Sequence, residues 1–359
     1  MPDSSRASEP AWTPAQFAAP AEDGRLVCWL CPHLCTLRDG QLGRCKVRRR
    51  HGDDLETATS ATTTWHVTAI ERKPLYHFLP GSRVLTLAAP GCTFACTYCQ
   101  NFRLSQFGRD PEATWTAEPV DADAVVSIAR AGGVDAIGFS YAEPILSAEL
   151  TLALAPPARA AGLAVVWKSN GFITEPALAR LAGAVDAVNI DLKTADDASH
   201  RALTGAAVGP VLAAIREFHA RGVWVEVSTP IIPGLHTVDM LARLAAQIAA
   251  VDPDIPWHLL RFHPDHRLVH PPPTSPTLLA AAVDQAHAAG LRHVYVERAL
   301  GDAARTTFCP DCLAVAIERE PWSLRGMHLV DGQCVACSTS IAGVWTRRHA
   351  LATLDEPRA

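Results

Sequence analysis

The stretch Gly91-Cys92-Thr93-Phe94-Ala95-Cys96-Thr97-Tyr98-Cys99-Gln100-Asn101 decides how the rest of the chain reads. Its cysteines have C-x3-C-x2-C spacing and follow the apolar run Val84 to Pro90, which reads as a buried parallel strand. No fourth ligand for a tetrahedral zinc ion lies nearby. Three thiolates suit an iron–sulfur cluster instead, with one iron left open. That iron takes an exogenous ligand such as the amino and carboxylate groups of S-adenosylmethionine. Gly91 relieves the turn out of the strand.

Outward from this loop the pattern alternates strand and helix. Apolar runs at Val84–Ala88, Ala136–Ser140, Ala164–Trp167, Ala187–Ile190, Trp224–Val227 and His258–Phe262 predict strands, with Val294–Glu297 a further one. Ala- and Leu-rich stretches between them, such as Asp123–Arg130 and Val238–Ala250, predict helices outside a parallel sheet. Chemistry in such α/β architecture gathers at the carboxyl ends of the strands.

Those ends carry polar groups. Ser140-Tyr141-Ala142-Glu143-Pro144 turns the chain and leaves backbone carbonyls facing the mouth; a helix start at Glu143 is the alternative. Lys168-Ser169-Asn170-Gly171 brings small polar groups there. Alternation places Asn189, Asp191 and Lys193 on one face of the next strand, either to bind a ligand or as a structural ion pair. His258, Arg261 and His263 end the sixth strand. The segment Ile70 to Gly81 is bounded by prolines and is expected to pack across the barrel mouth; its role reads as structural, with Lys73 and His77 as substrate-facing candidates.

All eleven cysteines fall into three sets. Cys28, Cys31, Cys35 and Cys45 form a compact knuckle for structural zinc or, as the alternative, an auxiliary iron–sulfur cluster; His33 reads as solvent-facing, with replacement of a cysteine as ligand the alternative. Cys309, Cys312, Cys334 and Cys337 make two C-x2-C knuckles, a zinc-ribbon signature. A partition of four, three and four favours metal-bound thiolates over disulfides.

The chain has 359 residues, 48% hydrophobic and 19% charged, with a net charge of −5. That composition describes a soluble globular protein with no reason to bind nucleic acid or an acidic membrane. Without a membrane-length apolar stretch or a signal-peptide core, a cytoplasmic protein is expected. The expected organisation is a flexible leader over residues 1–23, a cysteine-rich segment over 24–82, the α/β unit over 83–300, a ribbon over 301–347 and a tail over 348–359.

The cluster loop resembles that of the radical S-adenosylmethionine enzymes, C-x3-C-x-aromatic-C, with Tyr98 as the aromatic. That resemblance implies a partial (β/α)6 barrel and Cys92, Cys96 and Cys99 as catalytic cluster ligands. It also implies reductive cleavage of S-adenosylmethionine to a 5′-deoxyadenosyl radical that abstracts hydrogen from a substrate, with a reductant such as ferredoxin or flavodoxin. The family's Gly-Gly-Glu turn, whose carbonyls and acid meet the cofactor's ammonium, matches here at Glu143 alone, leaving Tyr141 and Ala142 to offer backbone contacts. Lys168-Ser169-Asn170-Gly171 is similar to the Asp-Thr-Asn-Gly turn of pyruvate formate-lyase activating enzymes, where the acid helps hold a monovalent cation; Lys168 stands at its place, as if to replace that ion. Asp191-Leu192-Lys193 and His263 match cofactor-contacting residues there.

From Leu26 to Gly343 the whole pattern resembles the radical protein of the AmmeMemoRadiSam system. The shared features are the Cys-x2-Cys-Pro-His-x-Cys opening with Gly43-x-Cys45, the stretch Pro74-Leu75-Tyr76-His77-Phe78-Leu79-Pro80-Gly81, the Cys-Gln-Asn end of the cluster loop, and the terminal ribbon. That resemblance implies partners of the Memo and AMMECR types. Two alternatives remain open: a glycyl-radical enzyme activase, and a non-catalytic zinc protein whose knuckles recruit partners.

Overall fold

Each predicted apolar run forms a strand in the computed structural model, which describes residues 9–346. Numbered along the main sheet, the strands are β1 (His66–Ala69), β2 (Arg83–Leu87), β3 (Ala136–Phe139), β4 (Ala164–Ser169), β5 (Ala187–Asp191), β6 (Trp224–Ile231), β7 (Trp257–Arg261) and β8 (Val294–Val296). They lie side by side in chain order; β1 pairs antiparallel with β2 and all later neighbours are parallel. The edge strand β1 was not expected, so the sheet begins ahead of the boundary drawn at residue 83.

Helices cover one face. Side-chain caps start several of them: Asp121 for Ala122–Ala131, Thr174 for Glu175–Leu181, Thr237 for Val238–Ala249 and Ser275 for Pro276–Ala288. Alternation along the strands sends Leu85, Ile137, Val165, Trp167 and Val188 into the core beneath these helices. The opposite face carries Val84, Ala136, Val166 and Ala187, which pack on Ile70, Leu75, Phe78 and Leu79.

That second contact gives the sheet its shape. Between Pro74 and His77 the chain touches Asn189 of β5, Glu226 of β6, His258 of β7 and Tyr295 of β8. Strands lie about 4.8 Å apart, so four residues reach four strands only if the sheet curls around them. Tyr76 and His77 meet the amino-terminal halves of the strands, whereas Lys73 meets Tyr141 beyond the end of β3. The segment expected across the mouth therefore runs down the inside of the curled sheet and fills its far end.

The expected leader is corrected from residue 13 onward. Thr13–Pro14 and Ala18–Pro20 are strands, paired with Asp54–Thr57 and Leu26–Cys28. Phe17 is buried edge-on against Trp29, and the Gln16 amide donates to Glu149. Backbone pairing and one buried ring hold a stretch whose composition looks unstructured. Residues 1–8 of that leader, and the tail expected over 348–359, lie outside the described residues.

At the other end, Thr307–Phe308, Val315–Glu320 and Ser323–Met327 form a three-stranded sheet. The four carboxy-terminal cysteines gather beside it with Sγ–Sγ separations of 3.5 Å for Cys309–Cys337 and 3.7 Å for Cys312–Cys334. Its core is small, with Ala316, Ile317, Ile341 and Trp345 packed on Cys309 and Cys334, so a bound metal would supply much of its order. This unit closes the far end of the curled sheet: Val344 N donates to the His77 carbonyl, and Arg319 to that of Tyr76. Among the described residues no helix is long and apolar enough to cross a membrane.

Candidate active site

A cavity of about 440 Å³ opens at the carboxyl ends of the strands. Cys92, Cys96, Tyr98, Cys99, Tyr141, Ala142, Glu143, Lys168, Ser169, Asn170, Asp191, Lys193 and His263 all line it. The fold thus brings these candidates from the strand ends and the cluster loop to one space, and leaves Asn189, His258 and the two four-cysteine sets outside it.

The cluster loop leaves β2 through Gly91, whose φ of +108° suits glycine; a Cβ there would meet Val47 at 2.9 Å. The loop is pinned from several directions. Ala95 N donates to Thr204 O (2.8 Å), Arg267 N to Thr97 O (2.8 Å), and Arg109 Nη2 to Cys92 O (2.9 Å). Amides point at one sulfur: Phe94 N lies 3.4 Å and Asn170 Nδ2 3.5 Å from Cys92 Sγ. Burial pushes the Cys96 thiol up to about 12 and Cys92 well above its ordinary value. Without a positive core nearby these thiols would stay protonated, so the donor set fits a metal cluster, which makes its own thiolates.

Glu143 sits at the second strand end with three donors on its carboxylate. Ser169 Oγ (2.7 Å) and Ile145 N (3.1 Å) donate to Oε1, and Asn170 N (2.9 Å) to Oε2. It therefore caps the turn Pro144–Ser147 as well as facing the cavity. Burial raises its carboxyl to about 7, against these three hydrogen bonds. The turn lacks the glycines of the resembling family, yet Tyr141 takes φ +69°, the left-handed conformation that glycine adopts freely. Such backbone in a bulky residue is costly and gathers at functional sites.

Asp191 forms the charged centre. Its Oδ1 takes the Lys168 ammonium and its Oδ2 takes Lys193 at 3.1 Å, while Lys168 also donates to Asn189 Oδ1 (2.7 Å). Burial alone would raise this carboxyl, but the two ammonium groups outweigh it and hold Asp191 ionised below its usual range. Two cations share one anion. Lys193 also stands 5.4 Å over the Tyr98 ring.

Lys73, weighed as a substrate-facing residue, proves unusual. Its side chain is 1% exposed, its ammonium lies 4.8 Å from the centre of the Tyr141 ring, and among the described residues no carboxylate pairs with it. Burial, helped by neighbouring Arg72, pushes its pKa down to about 7. An unpaired buried ammonium is destabilising. Lys73→Met is therefore expected to raise stability by about 1–3 kcal/mol at pH 7. Between pH 7 and 10 the unfolded chain keeps a proton that the folded chain lacks, so wild-type stability climbs with pH relative to the variant. Urea midpoints of both proteins at pH 7 and 9 check this, and a variant less stable at both would refute it.

Other expected positions fall elsewhere. His77 lies deep under the cavity, with Nδ1 2.7 Å from Ala342 O and Nε2 2.5 Å from the Tyr295 hydroxyl. His258 is buried against Glu226, while Arg261 reaches the cavity wall. His33, expected to face solvent, turns inward with Nε2 2.8 Å from Thr93 O. Sequence reasoning missed the rim. Trp322 of the carboxy-terminal sheet reaches the cavity, donates to Glu297 and is flanked by Arg72 and Arg298 at 4.4 and 4.0 Å. No local signal marks a tryptophan in one unit as the wall of another.

This fold and site define a class. The Radical SAM superfamily profile matches residues 87–245, which span the cluster loop and the strand ends through β6. The uncharacterized protein MJ0808 of Methanocaldococcus jannaschii is 31% identical over 334 residues, 91% of this chain and 98% of that one. The chain carries a radical SAM domain and is an enzyme of that type. It is also similar to activating enzymes. The isethionate sulfite-lyase activating enzyme of Oleidesulfovibrio alaskensis is 28% identical over 176 residues, 47% of this chain and 54% of that one. The benzylsuccinate synthase activating enzyme of Thauera aromatica is 29% identical over 141 residues, 37% and 40% of the two chains. The present chain spans about half the length of these activating enzymes.

Proposed function

We propose that Cys92, Cys96 and Cys99 hold a [4Fe–4S] cluster with one open iron, that S-adenosylmethionine binds in the cavity beside it, and that the enzyme abstracts hydrogen from a substrate. The convergence of three cluster-loop thiols and four strand ends on one cavity carries this reading. When bound, the cluster and S-adenosylmethionine supply one-electron chemistry that yields a 5′-deoxyadenosyl radical.

The chain's own residues do the rest. The backbone carbonyls of Tyr141 and Ala142, with the remaining lone pair of Glu143, accept from the cofactor's ammonium. Lys168 offers its carboxylate the positive charge that a monovalent cation gives in the resembling activating enzymes. Asp191 and Lys193 orient the ribose, and His263 closes the opposite wall. Phe94, Leu260 and Phe262, which also line the cavity, exclude water from the reacting atoms. The carboxy-terminal thiols, spaced as one tetrahedral ion needs, bind a zinc that orders the floor of the cavity. A ferredoxin- or flavodoxin-type reductant and partners of the Memo and AMMECR types complete the assignment, placing the enzyme in the AmmeMemoRadiSam system in the cytoplasm.

The test is anaerobic iron, sulfide and zinc analysis, then dithionite reduction with S-adenosylmethionine. About four irons or more, one zinc and released 5′-deoxyadenosine are expected. Zinc without iron, and no nucleoside released, would overturn it. The likeness to two activating enzymes favours a second reading, a glycyl-radical activase whose substrate is a backbone glycine of a large partner enzyme. A persistent radical on a co-purifying protein would select that reading.

A further inference from the structure

The amino-terminal cysteines stay outside the cavity, yet the fold packs them against the cluster loop. Cys28 and Cys35 are direct partners across the antiparallel strands Leu26–Cys28 and Cys35–Leu37. Gly43 sits between Cys35 and Cys45: a Cβ on it would stand 3.7 Å from each Sγ. Cys28, Cys31 and Cys45 are buried and Cys35 is half-buried. Cys31 interacts electrostatically with Cys45, Cys28 and Cys35, so four thiols converge in a largely dry place.

Their spacing distinguishes them from the carboxy-terminal set. One tetrahedral zinc with bonds of about 2.3 Å holds its sulfurs about 3.8 Å apart. The carboxy-terminal thiols meet that, all lying within 4.8 Å of one another. Among the described residues, neither the amino-terminal thiols nor those of the cluster loop are drawn so close. Convergence at wider spacing suits a core of several irons, in which each thiolate binds its own metal.

We infer that Cys28, Cys31, Cys35 and Cys45 hold a second iron–sulfur cluster, which delivers electrons to the first. The inference rests on the proposed cluster at Cys92, Cys96 and Cys99. Two contacts join the sites. The His33 ring, between Cys31 and Cys35 in sequence, meets Thr93 O at 2.8 Å, one residue from Cys92. The Cys45 carbonyl lies 3.3 Å from where a Gly91 Cβ would stand, again one residue from Cys92. One electron from a low-potential flavodoxin-type carrier enters at the half-buried Cys35 end and passes to the loop cluster. No atom or proton moves with it, so the step balances.

The test uses the full chain reconstituted anaerobically with iron and sulfide. Wild type is expected to bind about eight irons, and the Cys92→Ala/Cys96→Ala/Cys99→Ala variant about four, with a dithionite-reduced paramagnetic signal that S-adenosylmethionine leaves unchanged. That variant leaves the amino-terminal thiols untouched, so their folding is not at issue. If it holds zinc and no iron, the inference falls; four cofactor-responsive irons in wild type would then leave the proposed function standing. Wild type without iron sinks both. The relay has its own readout. In Cys31→Ala/Cys45→Ala, reduction of the loop cluster by reduced flavodoxin is expected to slow at least tenfold, with the cofactor-responsive signal retained. An unchanged rate overturns the relay.

Discussion

Glu226→Ala is expected to cost about 4 kcal/mol or more, enough to leave much of the chain unfolded near 37 °C. The carboxylate is wholly buried and accepts from four donors: Tyr76 N (2.9 Å), His77 N (2.7 Å), Trp224 Nε1 (3.0 Å) and His258 Nε2 (2.6 Å). Removing it strands all four in a place water does not reach, at about 1–3 kcal/mol each before relaxation. It also frees the segment that fills the curled sheet, because Tyr76 and His77 are held there by their amides. Glu226→Gln should lose less, since one carbonyl oxygen remains while the new amide opposes the other donors. Thermal melts of the three proteins read this out. A Glu226→Ala melt within a few degrees of wild type would show that the segment's other contacts hold it without this carboxylate.

The second large effect is expected at Asp191. Changing it to Asn leaves Lys168 and Lys193 adjacent with no acid between them, in a site where both are mostly buried. Stability should fall by about 3 kcal/mol. Formation of 5′-deoxyadenosine should fall about a hundredfold or more, the scale of losing one preorganised charge in a dry site. Iron content should stay at the wild-type value, because the cluster thiols keep their own supports. Binding of S-adenosylmethionine and nucleoside release, measured beside iron, separate these effects. Unchanged nucleoside release would make the Lys168–Asp191–Lys193 group a purely structural bridge between β4 and β5.

The parts legible in the sequence were those with local signatures. C-x3-C-x2-C spacing, the paired C-x2-C knuckles and strand-end runs such as Asn189-Ile190-Asp191-Leu192-Lys193 declare themselves over a few residues. Helices such as those expected over Asp123–Arg130 and Val238–Ala250 were legible for the same reason, as an Ala- and Leu-rich stretch needs no distant partner. What stayed hidden depends on pairing across the chain. Nothing around Glu226 says that its acceptors serve amides 149 and 150 residues away. Phe17 lies in a stretch whose composition resembles a linker, and its burial against Trp29 comes from the strands beside it. His33 looked like a surface histidine because the residue it meets, Thr93, lies 60 positions on. Tyr141 was hidden differently: the missing glycines suggested a different turn, whereas a tyrosine takes the glycine-like backbone shape.

The contact between His77 and Ala342 spans 265 residues, and that distance orders the birth of the protein. At about 5–20 residues per second, tens of seconds pass on the ribosome between the two partners. Over that interval the strands of the sheet emerge and can pair, but the segment meant to fill its far end lacks Arg319 and Val344 to hold it. A chain halted near residue 300 would carry every cavity-lining strand end and still lack Trp322 at the rim and the clamp beneath the floor. The stretch that carries Arg319 and Val344 therefore finishes a segment made long before it, and a cofactor arriving earlier would meet a vessel without a base.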